Sequence, residues 1–239
     1  MANDDGKNEI QLLETILYGP SSGLFLIDRH INRLLRSATF FESRKDKNEN
    51  EKMPFDFVQN AEEFKKILLG EIDKCVEKIG RGIRQRVRVV VDVDGIPTVT
   101  SSAFESKPSN STIKVKLDTE PTNSENILLM HKTTNRKVYD DARKRVGIDQ
   151  NSNNNDIFDV ILYNENSEIT ECSIANIAIE IYDDKTNKVK WKTPRIECGL
   201  LPGVMREYLL ETRKEEFFEG VVSIEDLTRT QKVMFDGNG

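Results

Sequence analysis

The chain has 239 residues, enough to bury a sizeable core as one large domain or two small ones. Charged residues make up 32% and hydrophobic ones 37%; the net charge of −6 comes with no basic stripe, which argues against nucleic acid or an anionic membrane as a partner. No stretch approaches the roughly 18 apolar residues of a membrane helix, and Met1 to Asn8 is polar and acidic, unlike a secretory signal or an Arg-rich transit peptide. The three cysteines (Cys75, Cys172, Cys198) and two histidines lack disulfide-scaffold or zinc spacing, so a reduced, cytosolic protein with no metal site is expected.

Ile10 to Tyr18 reads as a strand, Gly19-Pro20-Ser21-Ser22-Gly23 as a turn, and Leu24 to Ile27 as a short apolar run. Asp28 is the expected N-cap of a helix carrying Ile31, Leu34, Leu35, Ala38 and Phe41 at helical spacing. Glu42 to Lys52 is almost wholly charged or polar and reads as a solvated loop. Ala61 to Ile79 is an amphipathic helix whose apolar face holds Phe64, Ile67, Leu68, Ile72, Cys75 and Val76. Arg84, Arg86 and Arg88 alternate with Gln85 and Val87 and read as the solvent face of a strand, not a polyanion site. That strand runs apolar through Val93, and Asp94-Gly95 turns it into a hairpin with Ile96 to Val99.

Glu105 to Ser111 is rich in Ser, Pro and Asn and reads as a linker, dividing the chain into a smaller domain, 1–108, and a larger one, 109–239. Strands are expected at Ile113 to Leu117, Ile157 to Tyr163, Ile174 to Ile181 and Lys232 to Phe235, with helices at Tyr139 to Val146 and Pro202 to Arg213. Trp191 reads as a strand-face residue and Asn151 to Asn155 as a polar loop. There is no internal repeat, and strands and helices mix without strict alternation, which gives two α+β lobes.

Four constellations carry the residue types of chemistry: Asp28-Arg29-His30-Ile31-Asn32-Arg33-Leu34; His131-Lys132-Thr133-Thr134-Asn135-Arg136; Glu168-Ile169-Thr170-Glu171-Cys172-Ser173-Ile174-Ala175-Asn176; and Thr193-Pro194-Arg195 with Gly199-Leu200-Leu201-Pro202-Gly203-Val204-Met205-Arg206. Singly, each has an ordinary reading. Lys132 would be a surface lysine, Glu171 a strand-end acid, Arg33 a solvated or ion-paired helix residue, and Pro202 the first turn of a helix.

In this order and spacing, together with Leu12-Leu13-Glu14-Thr15 and Tyr139-Asp140, they resemble the fold-type-IV pyridoxal-phosphate family from about Leu12 to the end. That family includes branched-chain and D-amino-acid aminotransferases and 4-amino-4-deoxychorismate lyase. The insertions and the Thr193-Pro194-Arg195 step look most like the fungal lyase. The resemblance implies a two-lobed α+β fold with pyridoxal 5'-phosphate in the cleft between lobes, and a homodimer.

Residue by residue, it implies that Lys132 carries the cofactor as a Schiff base, which needs an unprotonated amine. Glu171 pairs with the pyridine nitrogen and Arg33 clamps the phosphate. Leu201 packs on the ring, and the backbone N–H groups of Val204 and Met205 receive the phosphate at a helix start. Asn176 and Ser173 have two readings, hydrogen bonding behind the ring-facing acid or capping a strand. The implied reaction converts the small molecule aminodeoxychorismate into 4-aminobenzoate and pyruvate, a step of folate biosynthesis. An aminotransferase acting on D- or branched-chain amino acids is one alternative, and a non-catalytic homologue another. The chain ends at Met234-Phe235-Asp236-Gly237-Asn238-Gly239, where the family normally continues into a loop and last strand; either the chain is truncated there or this protein has lost the element, and Phe235-Asp236-Gly237, which resembles the start of that loop, favours truncation.

Overall fold

The structure is a computed structural model and describes residues 10–44, 55–105, 113–148, 157–184, 187–230 and 232–236. The loop after Arg44, most of the linker after Glu105 and the run Asn151 to Asn155 lie outside the described residues. The chain divides into two compact units after residue 106, and Lys132–Asn135 belongs with the first.

In the first unit β1 (Leu12–Gly19) turns back through Pro20 to Ser22 into β2 (Gly23–Leu24). Helices α1 (Ile27–Ser43) and α2 (Ala61–Ile79) follow, then the strands β3 (Gln85–Val91) and β4 (Pro97–Ala103). The sheet is antiparallel in the order β2-β1-β3-β4, with Leu12 opposite Val91, Glu14 opposite Val89 and Ile16 opposite Val87. Alternation puts Leu12, Ile16, Val87, Val89 and Val91 on one face, where they meet Ile31, Leu34 and Ala38 of α1 and Phe64, Leu68, Ile72 and Val76 of α2. Arg86 and Arg88 face away and are exposed, as the alternation requires. The hairpin is longer than its apolar signal, because β4 continues past Val99 through polar Thr100 to Ala103. Its turn needs glycine: Gly95 has φ +78° and a Cβ there would lie 2.6 Å from the Phe57 ring.

Two details of the helices differ from expectation. Asp28 is not the N-cap: α1 starts after Leu26, which sits at φ 53° and ψ 33° with no side-chain cap bond. The N–H groups of Arg29 and His30 both reach Leu26 O, while the Asp28 carboxylate meets Lys65 at 3.1 Å. Ile67 does not join the buried face of α2 and is 49% exposed. The buried positions step by four, and Ile67 lies one position round from that stripe.

The second unit contains β5 (Lys114–Leu117), α3 (Lys137–Arg145), β6 (Ile157–Tyr163), β7 (Ile169–Cys172), β8 (Asn176–Asp183), β9 (Lys188–Pro194), α4 (Val204–Thr212), β10 (Phe217–Gly220), α5 (Ile224–Arg229) and β11 (Val233–Asp236). Two sheets form, β5-β6-β7 and β10-β9-β8-β11, parallel at β5–β6 and β10–β9 and antiparallel elsewhere. Ile161, Ile169, Cys172, Ile177, Ile179 and Val222 make one core cluster, and Ala142, Val146, Ile148, Val160 and Leu162 another. Strand β8 begins at Asn176, not Ile174, because Cys172 N–H bonds to Ala175 O and closes a turn there. Helix α4 begins at Val204, with Pro202 ahead of the N-cap Gly203. Among the described residues no helix is long and apolar enough to cross a membrane, and no group of three or more His, Cys, Asp or Glu could hold a metal ion.

Candidate active site

The face of β1 that carries Leu12, Ile16 and Tyr18 also carries Glu14, only 2% exposed among apolar neighbours. A buried carboxylate is costly unless paired. Two residues on one side of α1, His30 and Arg33, supply the partners. Arg33 Nε donates to Glu14 Oε1 at 2.8 Å and Nη2 to Oε2 at 2.6 Å, while His30 Nδ1 lies 2.7 Å from Oε2. Burial pushes the Glu14 carboxyl up, but the charge and hydrogen bonds of Arg33, with those of His30, outweigh it and bring it down to about 2. The bidentate pair sets the plane of the Arg33 guanidinium. Glu14 and His30 stand in the sequence motifs without a role of their own; an acid in an apolar strand and a basic pair at i and i+3 on a helix were the available signal.

Lys132 also depends on β1. Leu13 N–H bonds to Lys132 O at 2.9 Å, Thr134 N–H to Gln11 O at 2.9 Å, and Thr133 bridges Leu12. These contacts place the lysine with the first unit, whereas the sequence division put it in the larger domain. Pairing between residues more than a hundred positions apart leaves no local trace. Lys132 itself is half-buried.

In the second unit Glu171 is 3% exposed on β7, whose four residues are all buried. It is therefore not an exposed strand-end acid. Oε1 accepts from the Tyr139 hydroxyl at 2.8 Å and from Leu201 N–H at 3.1 Å, and Oε2 accepts from Asn176 Nδ2 at 3.3 Å. Each of these three groups donates, which suits a carboxylate acceptor. Asn176 Nδ2 also donates to Leu201 O at 2.9 Å, so one amide ties β8 to both the acid and the loop before α4. Asn176 thus opens β8 and hydrogen-bonds to the acid.

Ser173 does something else. Its hydroxyl donates to Asp159, accepts from Arg143 Nη1 at 3.0 Å, and its carbonyl accepts from Arg136 Nη2 at 2.5 Å. Asp159 is 1% exposed and also accepts from Arg143 at 3.2 Å and from the Ile174 N–H at 3.3 Å. This network pins the turn from Glu171 to Asn176.

The loop Leu201-Pro202-Gly203 leads into α4. A Cβ on Gly203 would lie 1.8 Å from Asn176 Oδ1, so only glycine lets the amide sit where it does. No side chain caps α4, although Gly203 and Val204 are buried. The Met205 side chain packs against Ala178, Leu209 and Phe217, which leaves its contribution to its backbone. A buried helix start without a cap leaves N–H donors that a phosphate satisfies, and the macrodipole favours the anion. The residues present therefore fit a phosphorylated pyridine: a buried acid for the ring nitrogen and an uncapped helix start for the phosphate.

The fold is that of the fold-type-IV class of pyridoxal-phosphate enzymes. The chain belongs to the amino-transferase class IV family, whose model matches residues 11–239. It is 26% identical over 229 residues to a Schizosaccharomyces pombe protein named "Putative aminodeoxychorismate lyase", covering 95% of this chain and 84% of that one. It is 29% identical over 177 residues to the Saccharomyces cerevisiae aminodeoxychorismate lyase, covering 69% of this chain and 46% of the yeast protein. Among solved structures it is similar to a "Putative amino-acid aminotransferase" of Mesorhizobium loti, with a TM-score of 0.75, 25% identity, and 96% and 95% of the two chains covered.

Proposed function

We propose that this chain is a pyridoxal-phosphate-dependent 4-amino-4-deoxychorismate lyase that acts as a homodimer. The observation that carries the cofactor reading is Glu171, buried and served by three donors, linked through Asn176 and Leu201 to the uncapped start of α4. The lyase reading is supported by the names of the two yeast relatives.

Pyridoxal phosphate, when bound, supplies an electron sink for a carbanion. Lys132 is assigned the covalent link, and its amine then takes the proton from the substrate carbon that bears the nitrogen. Glu171 keeps a proton on the pyridine nitrogen. Arg33, oriented by Glu14, and the N–H groups of Val204 and Met205 would hold the phosphate. Leu201 would pack on the ring. The bond between the substrate ring and the enolpyruvyl oxygen then breaks, the leaving enolate takes up a proton at its methylene carbon to become pyruvate, and the six-membered ring that remains becomes aromatic, which drives the reaction forward.

The Mesorhizobium similarity favours a second reading, transfer of an amino group from an amino acid to a keto acid. One experiment separates them: absorbance of the purified, cofactor-loaded protein, then 4-aminobenzoate release from aminodeoxychorismate, with Lys132→Ala as control. A visible band absent from Lys132→Ala, with 4-aminobenzoate formed, supports the lyase. The same band with amino transfer and no 4-aminobenzoate replaces it by the aminotransferase. A colourless protein that takes up no cofactor overturns both.

A further inference from the structure

Tyr139 stands on α3 with its ring packed beside Ala142 and its neighbours and with the Arg136 guanidinium carbon 4.8 Å from the ring centroid. Arg136 is itself held by Ser173 O, so stack and turn are one assembly. The Tyr139 hydroxyl donates to Glu171 Oε1 at 2.8 Å. Burial first, then the charge of Glu171, pushes the phenol well above its usual range. A phenol that does not ionise beside a carboxylate is a permanent donor to it.

We propose that Tyr139 is a positioning residue that fixes the Glu171 carboxylate and keeps the proton it shares with the bound cofactor on the pyridine nitrogen. The inference rests on the role given to Glu171 above. A hydrogen bond donated to a carboxylate favours its charged form and so lowers its affinity for a proton. Without the hydroxyl, Glu171 draws the shared proton toward itself, and the ring becomes a weaker electron sink. Tyr139→Phe keeps the ring, its packing and the Arg136 stack, and removes the donor alone.

The test loads wild type and Tyr139→Phe with pyridoxal phosphate labelled with ¹⁵N in the ring, and compares the ring-nitrogen chemical shift together with kcat and KM. Wild type gives a signal in the pyridinium range. Tyr139→Phe moves it toward neutral pyridine and lowers kcat about tenfold, the worth of one hydrogen bond to a charged group, with KM little changed. Replacing Tyr139 by 3-fluorotyrosine, a stronger donor of nearly the same shape, leaves the signal at or beyond the wild-type position; it also serves as the test if the phenylalanine variant does not fold. An unchanged shift and kcat in Tyr139→Phe, with only a lower melting midpoint, overturns the proposal in favour of packing alone. A wild type that binds no labelled cofactor overturns the reading of Glu171 as well.

Discussion

Glu14 shows what a single residue does in this molecule. It sits on a strand face otherwise devoted to the core, and it is tolerable there because Arg33 and His30 meet it with charge-assisted hydrogen bonds. Its carboxyl falls from 4.5 to about 2, which corresponds to roughly 3 kcal/mol of folding free energy. Because the folded value lies below the unfolded one, this stabilisation is whole above about pH 4.5 and is lost as pH falls toward 2. Glu14→Gln replaces the buried charge that meets Arg33 by a neutral amide, so urea denaturation at pH 7 is expected to show a loss of about 3–5 kcal/mol. The variant's deficit shrinks when the same titration is run near pH 3. An equal deficit at both pH values would mean that packing, not charge, is what Glu14 supplies.

At the scale of elements, the loop before α4 is organised by the absence of a side chain. Gly203 has an ordinary φ of −70°, so its requirement is space, not backbone freedom. In Gly203→Ala the new methyl expels the Asn176 amide, breaking its bonds to Glu171 and Leu201. A loss of about 1–3 kcal/mol in denaturant unfolding is expected, with weaker binding of pyridoxal phosphate by equilibrium dialysis. Gly70 is the counterpart: it lies exposed in α2, where an added Cβ would meet nothing within 4 Å, so Gly70→Ala is expected to stabilise by about 0.5–1 kcal/mol. Equal effects from the two substitutions would refute the account of Gly203. The same contrast explains which elements are legible in the sequence. Helix α2 announces itself through Phe64, Leu68, Ile72 and Val76, whereas β7 is four residues long, wholly buried and carries Thr170 and Glu171. Neither alternation nor apolarity marks such a strand. Helix α5 escapes the periodicity although Ser223 and Asp226 form a capping box, because only six residues follow the cap.

For the whole molecule, a ligand that binds only the folded state stabilises it by mass action. Pyridoxal phosphate at a hundred times its dissociation constant is expected to add about 2.7 kcal/mol and to raise the melting temperature by several degrees, at about 2–4 °C for each kcal/mol. Scanning calorimetry with and without the cofactor reads this directly. A melting temperature indifferent to saturating cofactor would contradict the proposed function, whatever the substrate.

Residue order already points to the class of fold and to the candidate motifs, because helical and strand periodicities are local and the motifs keep their order. The helix-covered sheet of the first unit, the exposed Arg86 and Arg88, and the glycine turn at Gly95 all follow from spacing. Tertiary structure alone decided that Glu14 is the partner of Arg33, that Tyr139 and Asn176 serve Glu171, that Ser173 serves Asp159 instead, and that the Lys132 segment pairs with β1. Each joins residues apart in the chain by hydrogen bonds, and a hydrogen bond depends on distance and direction, which residue order does not encode.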